Sequence, residues 1–252
     1  MIVRPIHFAA LAAIAPALLG LSLLLSSCQV LGVGSPDATP VPTAAPTAVP
    51  VPATAVPTTA PASGQNGGST GQASTAAKQW SSPPKMTIDT SKSDYRVVMH
   101  TNQGDFTITL LPKEAPLAAN NFLFLARQHF YDGVIFHRII KTFMIQGGDP
   151  AGTGSGGPGY GFAIEPPKHQ DYTPGIVAMA NTGQPNSNGS QFFIMTGDYS
   201  NGKLPKNYSI FGKVTAGLDI VQKIASVPVD DPTGQSPRPL HDVRILSTTV
   251  QG

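Results

Sequence analysis

Residues 136–149 read F-H-R-I-I-K-T-F-M-I-Q-G-G-D. One arginine, Arg138, stands between two short runs of β-favouring residues. Further on come Met179-Ala180-Asn181 and Gly189-Ser190-Gln191-Phe192-Phe193-Ile194. Together these stretches offer one guanidinium, several amides and a group of apolar side chains. Within them no nucleophile stands beside a base, no two carboxylates are paired and no metal-ligand set is present. Such a surface suits a substrate recognised by shape and hydrogen bonds rather than one whose bonds are cleaved.

The neighbouring sequence reads as short strands with two helices between them. Residues 95–101 are β-branched and apolar, Asn102-Gln103-Gly104 signals a turn, and residues 105–110 alternate polar and apolar, so a hairpin is expected. Pro116 suits the first turn of a helix, and Ala118, Phe122, Leu125 and Ala126 share one helical face, with a stop before Gly133. Further strands are expected over 134–140, 143–146, 175–181, 191–196, 209–214 and 242–250, and a short helix over 218–224. Many short strands with two distant helices point to an all-β barrel or sandwich with capping helices.

Composition narrows the function classes. Only Arg4 and Asp37 of the 16 basic and 14 acidic residues precede residue 78, so the domain is close to neutral. That balance gives no support for nucleic-acid binding. The run 147–161 holds eight glycines, and residues 152–157 match G-x-G-x-x-G. A dinucleotide site needs that motif to open a helix, and Pro158-Gly159 forbids it. Ser82-Pro-Pro-Lys85 and Ser200-Asn-Gly-Lys203 match S-x-x-K but sit in irregular sequence without the accompanying hydrolase motifs. His100, His129, His169 and His241 lack ligand spacing, so no metal and no cofactor are expected. His137, next to Arg138 on a strand, points to the opposite face and reads as packed inside.

The first 90 residues are of another kind. Met1 to Pro5 carries Arg4, and residues 8–25 are apolar apart from Ser22. A basic start, an apolar middle and small residues at the end have the layout of a secretory signal. Leu25-Ser26-Ser27-Cys28 resembles a bacterial lipobox, which implies lipidation at Cys28, the chain's single cysteine. The alternative is an uncleaved membrane-spanning helix, since 18 residues are just enough to span. Residues 39–62 are Pro, Ala, Val and Thr, with prolines at 40, 42, 46, 50, 52, 57 and 61. Such composition favours extended polyproline II, and the Gly/Ser/Gln/Thr stretch 63–76 favours a flexible coil. The expected organisation is a signal segment over 1–28, a disordered linker over 29–90 and a globular domain over 91–252. At ~3.1 Å per residue, a spacer of about 60 residues reaches at most roughly 190 Å.

The domain is identified as a member of the cyclophilin-type peptidyl-prolyl cis-trans isomerases by five motifs in family order. They are Phe136-His-Arg-Ile-Ile140, Phe143-Met-Ile-Gln-Gly-Gly-Asp149, Met179-Ala-Asn181, Asn188-Gly-Ser-Gln-Phe-Phe-Ile194 and Phe211-Gly-Lys-Val214. The resemblance implies a mainly β fold, a closed eight-stranded antiparallel barrel capped by two α-helices, with a groove on the outside. It implies that Arg138 is the catalytic arginine and that Gln146 acts with it. It implies that Phe143, Met144, Phe193 and Leu204 hold the proline ring. Gln191, Ala180 and Asn181 match positions that meet the substrate backbone, and Tyr208 lies in the same groove. The partners implied are Pro-containing polypeptides, handled by a monomer. With the signal segment, they would be exported chains, met by a domain lipid-anchored on the extracytoplasmic side of the cell membrane. The rival reading is a non-catalytic module that binds Pro-containing segments. Lys203 stands where many relatives have Trp, Tyr208 where many have His, and Gln184 looks inserted. The first two departures put sensitivity to the inhibitor cyclosporin in question.

Overall fold

The computed structural model describes residues 78–252. The signal segment, Cys28 and the linker up to residue 77 lie outside the described residues. Eight strands and two helices follow one another as β1 (Arg96–Thr101), β2 (Gly104–Leu110), α1 (Pro116–Arg127), β3 (Arg138–Ile140), β4 (Met144–Gly147), β5 (Ile176–Met179), β6 (Phe192–Met195), β7 (Ile210–Ala216), α2 (Leu218–Ala225) and β8 (Ile245–Gln251).

All pairings are antiparallel, in the order β3-β4-β6-β5-β7-β2-β1-β8. The two ends of that order meet, but not through β3. Residues 133–136, just before β3, bond to the entry of β8. Gly133 N donates to Ile245 O at 2.7 Å, Ile245 N to Val134 O at 2.9 Å and Phe136 N to Val243 O at 2.9 Å. Ile135 and Arg244 form one isolated bridge there. The expected closed barrel is therefore not completed by a ladder, and only a few bonds join residues 133–136 to the entry of β8. The strand expected over 134–140 splits for the same reason. Its first half pairs with β8 and its second half, β3, pairs with β4.

β5 and β6 read as continuous apolar runs because both of their faces are covered, and β4 departs from that at Gln146. Ile145, Val177, Met179, Phe192, Ile194 and Phe211 point into the main core, with Phe106, Phe122, Tyr131 and Phe136. Met144, Ile176, Ala178, Phe193, Met195 and Ile210 point outward into a second cluster around Tyr172. Period-two alternation puts neighbours on opposite faces, so Phe192 and Phe193 serve different clusters. α1 packs on β7 and β8, and α2 on β2 and β4. Pro116 opens α1, where its missing N–H costs nothing. The free N–H groups of Leu117 and Ala118 donate to the Glu165 carboxylate at 3.0 and 2.9 Å. Burial raises the pKa of Glu165, and those two bonds pull it back.

One boundary differs from the sequence reading. The linker was expected to run to residue 90, yet the chain docks on the domain from about Lys78. Trp80 N donates to Pro158 O at 2.9 Å, and the indole packs edge-on against Phe124 with centroids 5.2 Å apart. Ile88 is buried, and Asn120 on α1 accepts from Thr87 N at 2.9 Å and from Ile88 N at 3.3 Å. An aromatic ring and an isoleucine with apolar partners to cover overcome the coil preference of Ser-Ser-Pro-Pro around them.

Candidate active site

Arg138 opens β3 and lies opposite Gln146 of β4 in the ladder. A strand pair of this kind brings directly opposed side chains on one face close together. Arg138 Nη1 donates to Gln146 Oε1 at 3.2 Å, and its Nε donates to Gln235 O at 2.8 Å. Met144 Sδ lies 3.8 Å from Nη1. The guanidinium is half-buried. Burial lowers its pKa, and the nearby Tyr208 phenol opposes that. Arginine starts so high that it stays protonated at neutral pH.

Gln146 Nε2 donates to Gln191 Oε1 at 3.0 Å, and Gln191 Nε2 donates to Gly154 O and Gly156 O, both at 2.9 Å. The glycine-rich loop is thereby part of the site. Asp149 holds the loop in turn. It is fully buried, and its carboxylate accepts from Ala151 N at 2.8 Å, Thr153 N at 2.9 Å and Gly154 N at 2.6 Å. Burial alone would raise the Asp149 pKa. The N–H groups of Gly156, Ala151, Gly154 and Thr153 win, and the pKa falls below its ordinary value. A Cβ on Gly156 would sit 2.0 Å from Asp149 Oδ1, so that residue has to be glycine.

Beside the arginine lies a cleft of about 200 Å³ lined by Arg138, Phe143, Met144, Gln146, Ala180, Asn181, Phe193, Leu204 and Tyr208. These are the residues expected from the sequence, with Gln191 standing behind Gln146. Phe193 meets Tyr208 edge-on at 5.4 Å, and Phe143 packs against Tyr199 at a tilt, with centroids 4.5 Å apart. The Tyr208 main chain is anchored by the Tyr172 hydroxyl, which donates to Tyr208 O at 3.1 Å and accepts from Tyr208 N at 3.2 Å. Ala180 N donates to Gln191 O at 2.9 Å, and Asn181 Nδ2 donates to Asn207 O at 3.0 Å. Lys203 lies outside the lining, its Nζ 3.5 Å from Asp198 O.

Sequence reasoning missed three supports. Gln235 acts through its main-chain carbonyl, which leaves no side-chain signature. Asp149 was visible as the end of a motif, and the glycines after it were the signal for an anion cradled by N–H groups. Tyr199 had no signal beyond being aromatic near the Leu204 loop.

A model of the family described as cyclophilin type peptidyl-prolyl cis-trans isomerase/CLD matches residues 96–250. The Arabidopsis thaliana peptidyl-prolyl cis-trans isomerase CYP18-2 is 41% identical over 179 residues, covering 69% of this chain and 98% of that protein. The human peptidyl-prolyl cis-trans isomerase-like 3 is 42% identical over 159 residues, covering 61% of this chain and 94% of that protein. Among solved structures, a Cryptosporidium parvum cyclophilin-type isomerase crystallised in the presence of the dipeptide Ala-Pro superposes with a TM-score of 0.56 at 37% identity. It covers 62% of this chain and 99% of that one. With these matches spread over the same strands that build the cleft, the chain belongs to the cyclophilin family and is a peptidyl-prolyl cis-trans isomerase.

Proposed function

We propose that the enzyme isomerises X-Pro bonds of exported proteins and assists their folding, with Arg138 as the group that stabilises the twisted bond. The observation that carries this reading is the fixed guanidinium at the edge of an apolar cleft. Rotation about an X-Pro bond loses amide resonance, against a barrier of ~18–20 kcal/mol. In the twisted state the proline nitrogen turns pyramidal and gains a lone pair. A donor aimed at that lone pair binds the transition state better than either planar ground state, which is the kind of binding that accelerates a step. Arg138 spends Nε on Gln235 O and one Nη1 hydrogen on Gln146, and among the described residues Nη2 keeps both hydrogens without a protein acceptor. Phe143, Met144, Phe193 and Leu204 hold the ring, while Ala180 and Asn181 offer main chain to the substrate. Gln146 and Gln191 orient the arginine, and Tyr208 completes the wall. No covalent bond forms.

Arg138→Ala is expected to lower kcat/KM on an Ala-Pro peptide about 10²–10³-fold, the scale of losing one preorganised donor. Protease-coupled isomerisation measures it. A variant that keeps wild-type turnover ends the assignment. Tight peptide binding with negligible turnover in the wild type would select the binding-module reading.

The export half rests on residues 1–28 and is separate. We infer that Cys28 carries lipid and tethers a monomeric domain outside the cytoplasm on its Pro-rich spacer. Labelled fatty acid should enter the wild-type chain and not Cys28→Ala. Equal labelling of both, or of neither, removes the anchor.

A further inference from the structure

The mechanism leaves the docked segment 78–88 without a task. We propose that this strap is a positioning element for Arg138, with Trp80 its central residue. It would act by fixing the glycine-rich loop whose carbonyls orient the two glutamines. The inference rests on the role given to Arg138 above.

The hydrogen bonds from Arg138 to the loop run in one direction. Nη1 gives to Gln146 Oε1, Gln146 Nε2 gives to Gln191 Oε1, and Gln191 Nε2 gives to Gly154 O and Gly156 O. A primary amide has two N–H donors, and here both hydrogens of Gln191 go to loop carbonyls. Its oxygen must then face Gln146, and the oxygen of Gln146 must face Arg138. Were the two carbonyls to move away, either amide could rotate. An N–H would then confront the guanidinium, where an oxygen is needed. The position of residues 154–156 therefore sets the polarity of every group behind the arginine.

That loop has no regular structure of its own, and its hold is divided. Asp149 and Arg238 grip the near part, with Arg238 Nη2 donating to Gly152 O at 2.8 Å. Just past Gly156, Pro158 O accepts from Trp80 N at 2.9 Å. Gly159 lies flat against the strap, since a Cβ there would come 2.7 Å from Trp80 O. Pro158 lies only two residues beyond Gly156, at most ~7 Å of chain. The strap is itself tightly fixed. The Trp80 ring packs on Phe124 at 5.2 Å and Phe130 at 5.9 Å. Asn120, only 3% exposed, accepts from Thr87 Oγ1 at 3.2 Å as well as from two backbone N–H groups, and its Nδ2 donates to Lys85 O at 3.1 Å. A segment that only sealed the apolar side of α1 would not need a main-chain bond to the loop, nor a glycine opposite its carbonyl.

The test uses the full chain. Trp80→Ala is expected to lower kcat on an Ala-Pro peptide threefold to tenfold with KM within twofold of wild type. Trp80→Phe, which keeps an aromatic ring and the backbone N–H, should stay within twofold on both. A folded Trp80→Ala protein with wild-type kcat overturns the proposal. A second readout needs no substitution, because Trp80 is the only tryptophan in the chain. Its fluorescence should change saturably as the Ala-Pro peptide is added, with a midpoint matching the binding of that peptide. Emission that stays constant at saturating peptide, with turnover intact, sinks the strap and leaves the site reading standing. Full turnover in Arg138→Ala would instead sink the site reading.

Discussion

The inner and outer faces of β4, β5 and β6 both carry apolar residues, Gln146 aside, and come to opposite ends. Inward, Ile145, Val177, Phe192 and Ile194 join a core that is closed on all sides. Outward, Met144, Ala178, Phe193 and Met195 begin a second cluster that is finished by half-buried residues, among them Phe143, Ala180, Leu204 and Tyr208. The inner face is completed by the fold. The outer face stops short and leaves a cleft about as large as a proline with its neighbours needs, with a cation at its rim. The difference lies in what stands opposite. The inner residues meet α1 and the far strands, whereas the outer ones meet irregular loops held by a few hydrogen bonds, such as the two between Tyr172 and Tyr208.

Adjacent phenylalanines on β6 provide the sharpest way to break this contrast. Phe192 is fully buried, in edge contact with Phe122 at 5.4 Å and Tyr131 at 5.6 Å. Phe192→Ala should cost about 3–5 kcal/mol of stability, the usual range for a buried phenylalanine, while the folded fraction keeps near-normal KM. Phe193→Ala removes the ring that faces Tyr208. Because water can fill the opened cleft, its stability cost should be less than half as large, about 1–2 kcal/mol, while kcat/KM falls about tenfold to a hundredfold. Chemical denaturation and the coupled assay, run on both variants, decide the matter. Equal stability losses, or a larger catalytic loss from Phe192, would mean that the two faces are not divided as described.

How much of this was legible in the sequence depended on the range of the signal. Pro116 and the Ala118-Phe122-Leu125-Ala126 face were local, and α1 runs as expected from Pro116. The strands were legible through their β-branched and aromatic runs, and their ends shift by one to four residues. The cleft was legible only because the family motifs named residues from four separate stretches. Periodicity alone says that Phe192 and Phe193 face opposite ways, but not which one faces the core. The supports were invisible for a physical reason. Gln235 O and Glu165 act across 97 and 48 residues of sequence, on a side chain in one case and helix N–H groups in the other. Neither contact follows from local spacing. Trp80 was hidden by its neighbours, since one aromatic within Ser-Ser-Pro-Pro does not outweigh a linker's composition until Phe124 and Phe130 are seen beneath it.

The smallest effect concerns the boundary between the two faces, at His137. It precedes Arg138 on the chain and is buried, and among the described residues its Nδ1 has no hydrogen-bond partner. Burial lowers its pKa below the usual 6.5. Asp149 pulls it upward, and Arg238 and Arg138 push it further down. The folded protein therefore prefers the neutral ring, while the unfolded chain takes up a proton near the ordinary value. Linkage gives the sign. Stability from this residue is complete above about pH 6.5 and is lost as the pH falls below that value toward the depressed folded pKa. Asp149 and Glu114, held below their ordinary carboxylate values by backbone N–H groups, lose their stabilisation in a lower window. Glu165, with its pKa raised by burial, works in the opposite direction and gains on acidification. Comparing wild type with His137→Gln cancels Glu114 and Glu165, and Asp149, which couples to His137, titrates below this window in both proteins. Between pH 7.5 and 5.5 the wild type should lose more unfolding free energy than the variant. Parallel curves would mean that the ring at this boundary takes up its proton as easily in the folded protein as in the unfolded chain.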